Sequence, residues 1–345
     1  MSAGGQRSTL ASIGALTPAG MSTPVGNPAM FWSMAYKVSD VLMVLTEAGA
    51  LERLAQAPAT ADALAVAVGW QAGSLAKLLD LLVTAGVLEK SDAAVYAVPS
   101  TTRSVLPVVV MEAQVRRWHA ANRSLLTVLE TGVGADPLGQ IQEQNFLSNY
   151  QQAMAASARA LALHIHRYAR LPRQGTILDI GGADGALAEQ LALLQPQTDF
   201  CIIDRPPVRE HFEMRMARVT APQRFRFSAD DITQPQALQR EADTAIAAII
   251  SNVLHLLCDR QIRELLRLLC SELPSGARVV IYDQFLDPTQ FSAANLMVVD
   301  WVNLGAEFEL ADGDMAELLA GAGFIDISSR RFPLIPGALV CASVP

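Results

Sequence analysis

Between Phe31 and Leu54 the apolar residues Val41, Leu42, Leu45, Leu51 and Leu54 recur at helical spacing, with a break at Gly49, which predicts an amphipathic helix followed by a turn. Thr60 has the side chain to cap a second helix that ends at Gly69, and Ser74 is placed to cap a third running through Leu78, Leu81 and Leu82 to Gly86. Val87–Lys90 and Val95–Val98, separated by the polar Ser91, Asp92 and Ala93, read as two short strands around a turn. Helix, helix, strand, strand is the winged-helix order. Long helical stretches follow from 111 to 170 (Trp118 to Leu129, then Asn145 to Tyr168), and Leu171 and Pro172 break the pattern.

After Gly175 the texture changes. Thr176–Ile180, Asp199–Asp204, Arg224–Phe227 and Ala245–Ser251 are short strand-like segments, mostly continuous apolar runs, and helical patterns alternate with them. Runs without period-two alternation belong to strands buried on both faces, so this half is predicted as a parallel, doubly wound α/β sheet. Its ligand should lie across the carboxyl ends of the first strands, where the strand order reverses.

Composition narrows the function. At 345 residues two domains are expected. Half the residues are hydrophobic, yet there is no uncharged apolar run of roughly 18 to 20 residues, so no membrane partner is expected. Residues 1–28, rich in Gly, Ser, Thr, Pro and Ala, lack the layout of a secretory signal and read as a disordered tail of a cytoplasmic protein. A net charge of −8 argues against a general nucleic-acid partner, and Lys77 is the one cation on the would-be recognition helix, residues 71–86. Cys201, Cys258, Cys270 and Cys341 are far apart, with no metal-ligand spacing, so neither disulfides nor a metal site is expected.

The chemistry concentrates after the first strand of the second half. Leu178, Asp179 and Ile180 run into Gly181, Gly182, Ala183, Asp184 and Gly185, a turn whose glycines let a ligand approach the backbone. The spacing is not that of a dinucleotide loop, and Asp184 is expected to repel a pyrophosphate. S-adenosylmethionine (SAM), a sulfonium without phosphate, fits better. Nineteen residues past Gly185, Asp204 ends the next strand, where a carboxylate accepts hydrogen bonds from ribose hydroxyls. His255, just beyond the fourth strand, is the only histidine placed at the sheet's ligand edge, and a neutral imidazole suits proton removal near pH 7.

These segments resemble the SAM-dependent O-methyltransferases of plant phenolics and of bacterial polyketides and phenazines, from about Phe31 to Val344. The likeness rests on Leu178–Gly185, Ile202–Pro207, Ser228–Ile232, Asn252–His255, Ser275–Asp283 and Gly321–Phe324. It implies a winged-helix-like dimerisation domain (29–110), a helical linker that covers the substrate (111–172), and a Rossmann-like catalytic domain (173–345) with a mostly parallel seven-stranded sheet and an antiparallel last strand. It further implies an intertwined homodimer, with S-adenosylhomocysteine (SAH) as product.

The resemblance also assigns residues. Asp179, Gly181, Gly182, Gly185, Asp204, Asp231, Ile232, Ser251 and Asn252 would hold the cofactor, and His255 would be the base, held by Asp283 and Glu309. Trp118, Phe146, Tyr150, Met154 and Asn303 would meet a planar acceptor, the four from the helices serving equally well as core. Two departures stand out: Leu256 follows His255 where the family has an acid, and the segment 306–312 leaves Glu307 and Glu309 both eligible. The expected reaction is methyl transfer to a hydroxyl of a small aromatic or polyketide-like metabolite. The alternative is C- or N-methylation, or a reaction without methyl transfer such as hydroxylation, decarboxylation or pericyclic chemistry. His164 and His166, near Arg167 and Arg170, read as a solvated helix end.

Overall fold

The computed structural model describes residues 28–135, 145–232, 235–286, 293–304, 310–332 and 335–345. The expected tail (to residue 27) and Glu307 and Glu309 lie outside the described residues. The chain divides into two compact units, one of residues 1–121 and 140–156 and the other of 122–139 and 157–345. No single helix among the described residues is long and apolar enough to cross a membrane.

In the first unit, α1 (Pro28–Glu47) and α2 (Ala50–Gln56) are separated at Gly49, whose φ of 67° makes the turn. Thr60 caps α3 (Ala61–Val68) by accepting from the Ala63 N–H at 3.2 Å, which contributes about 1 kcal/mol. Ser74 does not cap α4 (Ala72–Thr84). That helix starts one turn earlier, after Gln71, and Ser74 lies inside it. Strands β2 (Glu89–Lys90) and β3 (Val95–Ala97) pair antiparallel as expected. A third strand, β1 (Ala59–Thr60), joins β3 on its other side. It is too short to leave a period. Leu45, Leu51, Leu54, Leu75, Leu79, Leu82 and Tyr96 form the core. Asp80 accepts from Lys90 at 2.6 Å and from the Tyr96 hydroxyl at 2.8 Å, tying the wing to α4.

Helix α5 (Ser100–Asn122) begins well before residue 111 and contains Pro107. The expected helix from Trp118 to Leu129 is interrupted: Arg123 takes a left-handed φ of 49°, and α6 (Ser124–Thr131) starts afresh. Neither glycine nor proline marks that break. Helix α7 runs from Phe146 to Tyr168.

The second unit holds one seven-stranded sheet. Its strands are β4 (Gly175–Ile180), β5 (Thr198–Asp204), β6 (Phe225–Ala229), β7 (Ala245–Ser251), β8 (Arg278–Asp283), β9 (Ile325–Phe332) and β10 (Ile335–Ser343), in the order β6-β5-β4-β7-β8-β10-β9. The first five are parallel, and β10 runs antiparallel to both neighbours. In β7, Ala247, Ala248, Ile249 and Ile250 are all fully buried, as the unbroken apolar run predicts. Because β5 lies on one side of β4 and β7 on the other, the winding reverses there and opens a crevice at their carboxyl ends. Around the sheet lie α8 (Ala186–Leu194), α9 (Arg209–Met216), α10 (Pro235–Ala242), α11 (Asp259–Glu272), α12 (Ala293–Leu296), α13 (Val298–Asn303) and α14 (Asp312–Ala322). The expected solvated helix end holds for His166, Arg167 and Arg170, which are exposed, whereas His164 is half-buried, its ring 4.2 Å from that of Phe332 and its Nδ1 2.7 Å from the Ala160 carbonyl.

Candidate active site

The loop from β4 to α8 is shaped by what it must pass. At Gly181 (φ 68°) a Cβ would lie 2.4 Å from Val253 Cγ2, and at Gly182 it would lie 2.5 Å from the Asp179 carboxyl carbon. Any side chain at either place would collide, so the backbone itself forms the crevice wall. Asp179 is buried, and its Oδ2 accepts no hydrogen bond. Burial first, then the charges of Asp204 and Asp184, push its carboxyl up to about 7. A buried acceptor in this state calls for a donor-bearing, preferably cationic, ligand.

Asp204 ends β5 and turns back to the loop. Its Oδ2 accepts from the Ala183 N–H at 2.8 Å and its Oδ1 from the Arg205 N–H at 2.7 Å. Burial raises its pKa, against those two hydrogen bonds. Each oxygen keeps a lone pair for a hydroxyl group. The Asp230 N–H donates to the Asp204 carbonyl at 3.0 Å, which brings the end of β6, with exposed Asp231 and half-buried Ile232, beside it. Ser251 ends β7, and Asn252 follows it. Asn252 has a left-handed φ of 54°, donates its N–H to the Tyr282 carbonyl at 2.8 Å, and has a buried Oδ1 without a partner. The loop, Asp204, Ser251 and Asn252 all stand at the carboxyl edge. Their orphaned acceptors, bare backbone and ribose-type carboxylate fit SAM, with its ammonium group and two ribose hydroxyls.

Asp184 corrects an expectation. It is a buried acid held by Arg215, whose Nε donates to its Oδ2 at 2.8 Å. A ligand there would meet an acid already paired with a cation rather than a bare one, although its charge still raises the Asp179 pKa.

His255 sits in a single 3₁₀ turn, Leu254–Leu256, after β7, with 16% of its side chain exposed. Its Nδ1 lies 2.8 Å from Oδ1 of Asp283, the fully buried last residue of β8. Asp283 also accepts from the Leu254 N–H at 2.9 Å and the Gln284 N–H at 2.8 Å. Burial pulls the His255 pKa down, but the charge and hydrogen bond of Asp283 outweigh it and leave the pKa raised. Because the Asp283 carboxylate can only accept, Nδ1 keeps its proton and donates it in the hydrogen bond, and Nε2 is the basic nitrogen. The indole of Trp301 lies nearly parallel to the imidazole, centroids 6.2 Å apart. Asn303, on the same helix α13, is buried with its Oδ1 unpartnered, and its carbonyl accepts from the Ala135 N–H at 2.7 Å.

Trp118, Phe146, Tyr150 and Met154 belong to the first unit. Trp118 and Phe146 are buried there, and Tyr150 stacks on Phe146 at 6.3 Å. Arg215 and Trp301 were not anticipated from sequence. Each meets its partner across tens of residues, where no local pattern points to the pairing.

An O-methyltransferase domain matches residues 129–325, and an O-methyltransferase dimerisation domain matches residues 30–106. The chain is 27% identical over 270 residues to the N,N-dimethyltransferase OxyT of Streptomyces rimosus, covering 74% of this chain and 77% of that protein. It is 26% identical over 300 residues to the mitomycin biosynthesis 6-O-methyltransferase of Streptomyces lavendulae, covering 81% and 83%. In fold it is similar to human N-acetylserotonin methyltransferase solved in complex with SAM, with a TM-score of 0.75 and 19% identity over 94% of this chain and 99% of that one. A dimerisation domain followed by a methyltransferase domain, with the glycine loop and Asp204 at the sheet's switch point, places the chain in the SAM-dependent O-methyltransferase family.

Proposed function

We propose that the protein transfers a methyl group to a hydroxyl of a small aromatic or polyketide-like metabolite, with His255 as general base. One observation carries the reading: a histidine at the ligand edge whose Nδ1 is held 2.8 Å from a fully buried carboxylate. SAM supplies an already activated methyl group when bound. The chain's own residues must then align the acceptor and take its proton. His255 Nε2 receives the hydroxyl proton, and Asp283 steadies the imidazolium that results. Asp179 and Asn252 would meet the cofactor's donor groups, Asp204 its ribose, and Asp231 and Ile232 its adenine. Glu309 is proposed as a second acid near the base. Trp118, Phe146, Tyr150, Met154 and Asn303 are proposed to recognise the acceptor, in keeping with the mitomycin enzyme's action on a secondary metabolite.

The dimerisation domain supports a homodimer. The exposed Met30, Trp32, Met34 and Tyr36 of α1 give that unit an apolar surface for it.

The test is His255→Ala, assayed by mass spectrometry with SAM and a panel of hydroxylated aromatics. Turnover should fall about 10²–10⁴-fold, the usual worth of a general base, while SAH binding stays within about twofold. Full turnover by the variant would overturn the reading. Transfer to nitrogen is a second reading, favoured by the likeness to an N,N-dimethyltransferase. An amine that reacts through its own lone pair needs no such base, so the same variant with amine acceptors separates the two.

A further inference from the structure

Helix α9 follows Asp204 by one 3₁₀ turn, Pro206–Val208, and packs on the outer side of the glycine loop. Phe212 and Met216 face Gly185, where an added Cβ would lie 3.4 and 3.5 Å from their side chains. Between them on the helix, Arg215 reaches the loop acid. Its Nε and Nη2 lie 2.8 and 2.7 Å from Asp184 Oδ2, and its Nη1 donates to Glu189 Oε2 of α8 at 2.8 Å. The other Asp184 oxygen accepts from the Ala186 N–H at 3.1 Å, at the start of α8. The guanidinium and both acids are no more than 25% exposed, so the network is largely shielded from solvent screening.

We infer that Arg215 is a positioning residue for cofactor binding, acting through Asp184 to hold the glycine loop in its binding shape. Three of five successive loop residues, Gly181, Ala183 and Gly185, have positive φ, and for Ala183 that conformation is intrinsically unfavourable. Such a loop keeps its shape only when its surroundings over-determine it. On one side Asp204 accepts the Ala183 N–H. On the other, Arg215 anchors the next residue, Asp184, and joins it to Glu189. Arg215 also compensates an acid that would otherwise stand in the same buried region as Asp179 and Asp204. This goes beyond the family's cofactor motif, since Arg215 is outside it, but it rests on that loop binding SAM.

The test is calorimetric titration of the full-length protein with SAH, for the wild type, Arg215→Met, Asp184→Asn and the double variant. Each single change should weaken SAH binding about tenfold, which is about 1.4 kcal/mol. The double variant should be no weaker than the weaker single one, because both remove the same contact. The KM for SAM should rise in proportion, with kcat at saturation close to that of the wild type. Affinity within about twofold in both single variants, or fully additive losses, would overturn the inference. If Arg215→Met does not fold, Asp184→Asn and Arg215→Lys decide on the same readings. Wild-type protein that does not bind SAH would instead overturn the cofactor reading beneath it.

Discussion

Replacing Asp283 with asparagine tests the histidine pair more sharply than removing the histidine, because the shape is kept and only the charge and one acceptor are lost. In the native site Asp283 Oδ1 faces both His255 Nδ1 and the Gln284 N–H, and Oδ2 faces the Leu254 N–H. An amide has one oxygen. If it takes the Oδ1 place, its NH2 opposes the Leu254 N–H, and a buried donor is orphaned at a cost of about 1–3 kcal/mol. If it takes the Oδ2 place, its NH2 opposes the Gln284 N–H and faces Nδ1, which must become an acceptor; the proton then moves to Nε2, and the base is lost. Turnover should therefore fall by about 10²–10⁴-fold, comparable to losing the base itself. The pH profile gives a second reading. Burial lowers the His255 pKa, and the charge and hydrogen bond of Asp283 reverse this to leave it above the ordinary value of 6.5. The wild-type rate should fall as pH drops through that raised value. In Asp283→Asn that pull is lost, so the limb should move to lower pH. The stability effect has the same sign. The raised pKa of the wild type contributes stability that is complete below 6.5 and lost as pH rises through the folded value, and the variant, without the Asp283 charge, loses that low-pH contribution. Asp283→Asn should thus be more destabilising at pH 5 than at pH 8 by urea unfolding. Rates over pH, with NMR titration of the His255 ring, measure the rest. An acid limb that does not move, or a plateau within about threefold of the wild type, would refute the reasoning.

Two further changes probe the cofactor edge. Gly182→Ala places a Cβ 2.5 Å from the Asp179 carboxyl carbon; a cost of about 1–3 kcal/mol in stability, typical of overpacking, should come with at least tenfold weaker SAH binding, and unchanged calorimetric affinity would show that the loop does not depend on this packing. In Asp179→Asn the apo protein should gain stability relative to the wild type at pH 8.5 but not at pH 4, because a carboxyl raised to about 7 favours the fold fully below its ordinary 3.8 and loses that contribution as pH rises through 7. The same variant should bind SAH more weakly, and parallel thermal melts with no pH-dependent difference would count against a buried, ionising Asp179.

What could be read in the sequence follows from how locally each feature is encoded. The apolar runs that became β4, β5 and β7, the glycine turn and the acid at the end of β5 obey rules spanning a few residues, and the parallel sheet places them together at its carboxyl edge. His255 was legible from its place just past a strand end, while its pairing with Asp283 came from the family resemblance and is made by the adjacency of β7 and β8 in the fold. Features that depend on contact between distant segments were not. Arg123 adopts a left-handed conformation with no glycine to announce it, and β1 is a strand only because β3 lies alongside. Asp184 shows the difference most clearly. Its charge was visible and was assigned to repelling a ligand, while its partner, Arg215, is 31 residues away on another helix. Once that partner is counted, the acid joins the loop's scaffold, and the proposed contacts to a cationic cofactor fall on Asp179, which has an orphaned oxygen, and Asp204, which has spare lone pairs.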